Sequence, residues 1–348
     1  MYLVALLDGM EGSDTLFPTR EQRREALALV SMQFEQNEAR VPGGTAIHTL
    51  DLLHMVHDLA PTMLARLHPD LSPEQQTALL IDLQQGTIFH DIGKSGYPRA
   101  DHLMLLFMKS PAEIMQSVVK PEGSYSYEEW GAVRLAEVLG HLKLAVETTK
   151  NVHTGKYTME LRLIEALEHL VHSRPKDGHP RIETMRELFD SHSLWTQRLL
   201  DEAGIQNERV LDIARGHHLL EFLANPEYRG YCPDDAELER HTSDLPSLDC
   251  QIMLEIIDKY QSNAIRTAGL NRHSPDGTPL LVRDHRKESN QTKTAALAFV
   301  ESKIAQAEAA VTTTDQTPKG QHSRIILTRY RTVLNCLRTV LLPEGPVV

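Results

Sequence analysis

The chain has 348 residues, 41% of them hydrophobic and 24% charged, which is the balance of a folded globular protein. A net charge of −12 argues against a surface that binds nucleic acid, so an anionic ligand would need positive charge from metal ions or a few lysines and arginines. Only three cysteines occur, without a CxxC pair, which excludes a disulfide framework and predicts a reducing, cytoplasmic location.

The first residues do not resemble a targeting segment. The stretch MYLVALLDGM is apolar, but it lacks a basic region and reaches Asp8 too early for a signal peptide. No run of about 18 apolar residues occurs, so we expect neither a membrane span nor a membrane partner. Residues 2–7 fit a short strand or an apolar end packed on the core, and 20–38 are predicted to be helical. We assign residues 1–40 to an N-terminal extension.

Helical signals follow one another along the rest of the chain. Ser72, Pro73 and Glu74 supply an N-cap, a first-turn proline and an early acid, and they start the helix that ends at His90. Because almost no stretch is typical of a strand and no repeat occurs, the sequence predicts an all-α globular bundle. The predicted helices cover residues 45–67, 73–90, 102–118, 127–148, 159–173, 181–203, 206–223, 247–268, 291–311 and 322–341.

We expect one main domain over residues 41–312, followed by a linker and a C-terminal helix over 313–348. The C-terminal helix is basic and could cover the core or form the seam of a homodimer. Either role is favoured over binding of nucleic acid. Its arginines are Arg324, Arg329, Arg331 and Arg338.

The most informative motif is HDIGK, at the end of the predicted helix 73–90. His90 and Asp91 stand side by side there, after apolar residues and three residues before Lys94. A buried imidazole beside a buried carboxylate is costly unless both are paired or bind a metal ion. The motif therefore predicts a site inside the fold that needs further ligands.

Five side chains on other predicted helices could complete a metal site with this pair. Imidazole and carboxylate suit divalent ions such as iron, manganese, zinc or nickel. A carboxylate shared by two cations can hold them about 3.5–4 Å apart, where together they activate water and bind a phosphoryl oxygen. The five candidates are His48, His192, His217, His218 and Asp258.

These residues resemble those of the HD-domain metal-dependent phosphohydrolases, which implies an HD-domain helical bundle. The closer likeness is to the HD-GYP subgroup, bacterial phosphodiesterases of cyclic dinucleotides. Three features carry it: a histidine 25 residues before a double histidine, the stretch YRGYCP at 228–233, and KPEGSYSYEEW at 120–130. The likeness covers roughly residues 45 to 300.

The resemblance implies two metal ions with Asp91 as the bridge between them. Iron or manganese is expected, and zinc, nickel or magnesium is compatible. Metal-activated water would be the nucleophile. One ion would be held by His48, His90, Asp91 and Asp258, and the second by Asp91, His192, His217 and His218.

The implied substrate is a nucleotide, with a cyclic dinucleotide as the first to test. Lys94 would contact its phosphate and stabilise the charge of the transition state. Tyr231, in the loop that resembles the Gly-Tyr-Pro motif, and Arg266 are the other predicted substrate-binding residues. Further candidates, each more often a solvated helix charge, are Arg181, Arg186 and Arg272.

The chain also departs from the subgroup. A glutamate that binds a third metal in some relatives is Gly44 here, and the glutamate usual after the double histidine is Leu219. Cys232 interrupts the Gly-Tyr-Pro loop. About a hundred residues separate Asp91 from the next ligand, which indicates a helical insertion at about 99–180. These changes affect substrate recognition more than metal binding.

Two of the ligand positions have competitors. His54 and His57 compete with His48, which has the two following leucines at the family's spacing. His217 and His218 would point about 100° apart on a continuous helix, so both reach one site only near a bend or a helix edge. On a continuous helix, one histidine would bind the metal and the other would form a hydrogen bond to the backbone.

Asp258 has a solvent-facing alternative, although its apolar neighbours favour an inward position. The insertion carries further histidines that could form a second metal site, but scattered surface histidines are the favoured interpretation. They are His141, His153, His169, His172 and His179.

Two other functions compete with phosphoester hydrolysis. A mixed-valent di-iron oxygenase is the first, because some HD-fold proteins use nearly the same ligands on O₂. The double histidine and Lys94 argue against it. A non-catalytic nucleotide sensor is the second, and it would predict an incomplete ligand set.

Overall fold

The computed structural model describes residues 44–95, 109–121, 127–148, 155–172, 182–225, 228–267, 285–311 and 317–343. These residues form fourteen α-helices and two short 3-10 turns, and they contain no β-strand. The all-α prediction is therefore confirmed. The predicted N-terminal extension and the helix at 20–38 lie outside the described residues, as do Arg181, Arg272, His153 and His179.

We number the described helices in chain order. Most of their bounds agree with the predicted ones within a few residues. The helices are α1 Gly44–Leu67, α2 Pro73–Phe89, α3 Lys109–Val119, α4 Tyr127–Ala132, α5 Leu135–Thr148, α6 Gly155–His172, α7 Met185–Asp190, α8 His192–Glu202, α9 Glu208–Arg215, α10 Leu219–Ala224, α11 Asp235–Ser243, α12 Leu245–Thr267, α13 Asn290–Ala310 and α14 Pro318–Leu341.

Three segments predicted as single helices are each divided in two. Within 181–203, Thr184 and Glu187 form a capping box that starts α7, and the break falls at Ser191, which ends α7 and precedes α8. The break in 206–223 is a turn at residues 216–218, between α9 and α10. The segment 127–148 is interrupted at 133–134, where Arg134 pairs with Thr184. Continuous helices were the wrong prediction at these places.

The main core is built around α12, which lies among α1, α2, α13 and α14. Met253, Ile257 and Tyr260 of α12 are fully buried in this cluster. The C-terminal helix α14 contributes Tyr330 and Leu337 to the same cluster. Of its two predicted roles, α14 therefore performs the first, covering the core.

A second apolar cluster lies between α2 and α9 in the sequence. It contains Trp130 and Leu142 with apolar residues of α6 and α7, and it extends to Trp195 on α8. The cluster thus joins the segment at about 99–180 to a helix that carries a predicted ligand. That this segment is an insertion stays a prediction. None of the described helices is long and apolar enough to span a membrane.

Candidate metal centre

The predicted ligands come from five elements that meet beside the main core. His48 and Asp258 lie within α1 and α12, whereas the other ligands lie at helix ends and turns. His90 and Asp91 follow the end of α2, just before a 3-10 turn at Ile92–Ser95. His192 is the first residue of α8. The double histidine occupies the turn between α9 and α10, which meets the condition under which both histidines could reach one site.

Close packing brings the 3-10 turn against α8. The backbone N–H of Gly93 donates to Thr196 Oγ1 at 3.0 Å, and that hydroxyl donates to the carbonyl of His90 at 3.1 Å. A Cβ at Gly93 would lie 1.8 Å from the carbonyl oxygen of His192. Only glycine fits there, and its presence sets the separation of Asp91 from His192.

Three of the ligands form a first group. The Nε2 atom of His48 lies 3.1 Å from Asp258 Oδ1. Ligand atoms of His48, His90 and Asp258 all lie within 4.8 Å of one another. A mixed imidazole and carboxylate set of this size suits a divalent cation. The inward position predicted for Asp258 agrees with this geometry, because its side chain is only 16% exposed.

Three histidines form a second group. His192 Nε2 lies 3.2 Å from His217 Nε2 and 3.1 Å from His218 Nε2. With metal–nitrogen bonds of about 2.1 Å, two nitrogens on one ion lie about 3.0 Å apart at a right angle and about 3.4 Å apart at the tetrahedral angle. The observed separations fall between these values. The three imidazoles are therefore spaced as ligands of one ion.

Asp91 lies between the two groups, with one oxygen toward each. Its Oδ1 is 3.6 Å from His192 Nε2 and 3.7 Å from His217 Nε2. Its Oδ2 is 3.3 Å from His90 Nε2 and 3.8 Å from His48 Nε2. This is the arrangement that a carboxylate bridging two cations requires.

Backbone carbonyls fix the orientation of three imidazoles. His90 Nδ1 donates to the carbonyl of Thr87 at 2.7 Å, and His217 Nδ1 donates to that of Ala214 at 2.6 Å. His192 Nδ1 donates in the same way to the carbonyl three residues earlier, at 2.5 Å. With Nδ1 as the donor, each Nε2 keeps its lone pair for a metal ion.

Burial favours the metal-binding protonation states. Burial and the neighbouring His218 lower the pKa of His192 to about 3, and burial lowers the pKa of His217 well below its usual value. Both imidazoles are therefore neutral at pH 7. Burial alone would raise the pKa of Asp91, but His90 and Lys94 outweigh it and hold the pKa low, so the carboxylate is ionised.

The donor set fits a bound cation. His90 is fully buried, and its Nε2 makes no hydrogen bond. A buried imidazole lone pair without a partner is costly in a closed fold, and a cation would satisfy it. His48 is buried, whereas its competitors His54 and His57 are exposed, so the geometry favours His48 as the ligand.

Lys94 also contacts Asp91. Its Nζ lies 2.6 Å from Asp91 Oδ2, and its side chain is 22% exposed, so it lies between the buried carboxylate and the solvent. The ammonium group is a local positive charge of the kind that an anionic substrate needs in this acidic chain.

The two remaining predicted substrate contacts differ. Tyr231 is buried, its hydroxyl donates to Glu237 at 2.9 Å, and the guanidinium of Arg215 lies over its ring. It fastens the loop before α11, and its role in substrate binding stays a prediction. Arg266 lies in the last turn of α12, where the structure does not describe its side chain.

Sequence reasoning missed two polar residues beside the ligands. Gln261 accepts a hydrogen bond from His48 Nδ1 at 2.9 Å, and Glu221 Oε2 lies 3.5 Å from His218 Nδ1. Gln261 lies three residues after Asp258, and Glu221 lies three residues after His218. This spacing places two side chains on one face of a helix. Among the described residues, no possible metal group involves His141, His169 or His172.

Comparison of the chain with protein-family models, with curated proteins and with solved structures gives no match.

Proposed function

We propose that this chain is a metal-dependent phosphohydrolase of the HD type, which hydrolyses a phosphoester bond of a nucleotide. A cyclic dinucleotide is the preferred substrate class. The observation that carries the proposal is the position of Asp91, whose two oxygens face separate histidine-containing groups.

The two groups would hold two divalent cations. His48, His90 and Asp258 belong to the first group, and the second contains three histidines. Two cations bound there would supply an activated water molecule and an electrostatic clamp on a phosphoryl group. Imidazole-rich ligands favour iron, manganese, zinc or nickel over magnesium, which takes mainly oxygen ligands.

The chain's own residues would perform three tasks around this chemistry. The backbone carbonyls that accept from Nδ1 hold the imidazoles in one tautomer. Asp91 keeps its negative charge and fixes the separation of the two groups. Lys94, at the solvent side of Asp91, would bind a non-bridging phosphate oxygen and stabilise the charge that develops on it.

The complete ligand set argues against a non-catalytic sensor. All seven predicted ligands lie in or between the two groups. A sensor has no need to keep each lone pair directed inward.

The test is metal analysis combined with substrate incubation. The full chain, loaded with manganese or, without oxygen, with iron, is incubated with cyclic di-GMP, cyclic GMP-AMP and simple nucleotides. We expect linear products and two metals per chain. Asp91→Asn should lower turnover by about 10³-fold or more and reduce the metal content, because it removes the shared ligand.

The matched control is His54→Ala, which removes an exposed histidine from the same helix as His48. It should leave metal content and turnover unchanged. Full turnover by Asp91→Asn, or turnover without metal, would refute the proposal. Oxygen-dependent conversion of a compound that is not a nucleotide would favour the di-iron oxygenase.

A further inference from the structure

Two of the five metal-facing histidines differ from the others in what lies behind them. Three imidazoles donate Nδ1 to a backbone carbonyl. His48 and His218 instead direct Nδ1 at a side chain, Gln261 and Glu221 respectively. One of these histidines belongs to each metal group, so each group has one side chain behind it that a substitution can change.

Gln261 is held rigidly behind the first group. It is buried on α12, accepts from His48 Nδ1 at 2.9 Å and donates its amide N–H to Asp51 Oδ2 at 3.1 Å. Both ends of the amide are therefore engaged, which fixes which end faces His48. The side chain that accepts from His48 Nδ1 is therefore an uncharged amide.

Glu221 is held behind the second group by a chain of ion pairs that runs from its half-buried side chain into the core. Lys259 Nζ lies 2.5 Å from Glu221 Oε1 and 3.4 Å from Glu255 Oε1. Glu255 is itself fixed, since it accepts from the hydroxyl of Tyr330 and the backbone N–H of Leu220.

This arrangement leaves one oxygen of Glu221 for the histidine. Glu221 Oε2 is buried and makes no hydrogen bond, and it lies 3.5 Å from His218 Nδ1. An ion-paired carboxylate whose second oxygen is buried and directed at the outer nitrogen of a ligand matches the carboxylate–histidine–metal arrangement of many metal sites.

We propose that Glu221 and Gln261 are separate positioning residues for the two metal ions, one for each group. The carboxylate of Glu221 orients His218 and raises its basicity as a ligand, and the amide of Gln261 orients His48 without adding charge. The inference rests on the metal pair of the proposed function, but not on the identity of the substrate.

The consequence is that each substitution should weaken only one ion. Loss of an outer partner typically lowers metal affinity by about 10–100-fold. Glu221→Gln should therefore lower the metal affinity of the second group, the tri-histidine group, by about that factor and leave the affinity of the first group unchanged. Gln261→Leu should lower the affinity of the first group and leave that of the second unchanged.

The experiment isolates each group in the full-length chain. His192→Ala removes the second group and His48→Ala removes the first, and the metal-free proteins are titrated calorimetrically with Mn²⁺ and with Co²⁺. We expect Glu221→Gln to lower affinity in the His48→Ala background and to have no effect in the His192→Ala background. The absorption spectrum of Co²⁺ bound to the tri-histidine group should change with Glu221→Gln and should not change with Gln261→Leu.

The matched control is Glu239→Gln, which removes the charge of an exposed glutamate on α11. It should change neither affinity. Thermal unfolding of each metal-free variant separates loss of fold from loss of ligand orientation. If Glu221→Gln does not fold, Glu221→Asp keeps the charge, draws it back from Nδ1 and should give the same one-sided loss.

Equal weakening of both ions by Glu221→Gln, or of neither, would overturn the inference. A wild-type chain that binds two ions but hydrolyses no nucleotide would refute the proposed function and leave this inference intact. A wild-type chain that binds no metal would refute both.

Discussion

Lys94 and Asp91 are paired in the structure, yet the proposed reaction gives them different tasks. Asp91 would be a metal ligand, whereas Lys94 lies toward the solvent and would bind the phosphate. Lys94→Met should therefore lower turnover by about 10²-fold, because it removes one group that stabilises transition-state charge. Two metals should remain bound, since no ligand is lost.

The measurement is steady-state turnover of a cyclic dinucleotide together with metal content. Lys303→Met, on α13, is the control for loss of a lysine charge elsewhere and should leave turnover unchanged. If Lys94→Met lost metal and turnover together, Lys94 would be needed to position the metal ligands. That result would contradict its assignment as a phosphate contact.

The choice of His48 over His54, six residues later on the same helix, rested on the family resemblance, because the leucines after His48 stand at the family's spacing. The structure agrees with it, since His48 is buried and His54 is exposed. Glu221 and Gln261 were not predictable in this way. Their roles depend on which nitrogen of a distant imidazole faces outward, and that is set by tertiary packing.

At the scale of elements, the contact between the 3-10 turn and α8 determines how close Asp91 lies to His192 of the second candidate group. Gly93→Ala would place a methyl group 1.8 Å from the carbonyl oxygen of His192. The turn must then move away from α8, which would separate Asp91 from His192. We expect loss of the second metal ion and lower stability, measured by metal content and by urea unfolding.

Gly140 supplies the matched control for this substitution. It lies on the exposed face of α5, and a Cβ there would point into open space, with no atom within 4 Å apart from the backbone of its own helix. Gly140→Ala should stabilise the helix by about 0.5–1 kcal/mol and leave both metals bound. Retention of both metals by Gly93→Ala would show that the close contact is not needed for the site.

The breaks between helices were harder to predict than the helices themselves. The signal for α7 was present, because Thr184 and Glu187 have capping-box spacing. The turn at 216–218 had a weaker signal, a single Gly216 whose Cβ would lie 2.0 Å from the Gln251 side chain. Gln251 of α12 packs against this turn and donates to the carbonyl of Gly216 at 3.0 Å. These breaks matter because they place His192, His217 and His218.

At the scale of the whole molecule, α14 is fixed to the core by polar and apolar contacts. Arg329 forms an ion pair with the fully buried Asp249, whose carboxylate also lies 2.9 Å from His68 Nε2 at the end of α1. Tyr330 donates to Glu255, within the chain of ion pairs that reaches Glu221. The basic charges of α14 thus serve in part to hold this helix against α12.

The domain boundary at 312 was drawn from composition, and composition could not show this attachment. The polar stretch between α13 and α14 has the residues of a linker, whereas the apolar face of α14 becomes evident only when its partner surface is known. Ile304 of α13 and Leu334 of α14, on either side of that stretch, belong to the same apolar cluster.

A chain that ends at residue 312 should therefore fail to fold. Truncation there removes seven large apolar side chains from the core, each worth about 1.5–3 kcal/mol when fully buried, or about 10–20 kcal/mol together. Folded proteins have a net stability of only about 5–15 kcal/mol, so the loss is as large as the whole net stability of a typical domain. The seven are Ile326, Leu327, Tyr330, Val333, Leu334, Leu337 and Leu341.

Circular dichroism and thermal unfolding would test this, with a chain ending at residue 343 as the control, which keeps all of α14. The control should unfold like the full-length chain and bind both metals. The shorter chain should show no cooperative transition. If it folds and binds both metals, then α14 is not needed for the core, and the chain of ion pairs from Tyr330 to Glu221 does not support the metal centre.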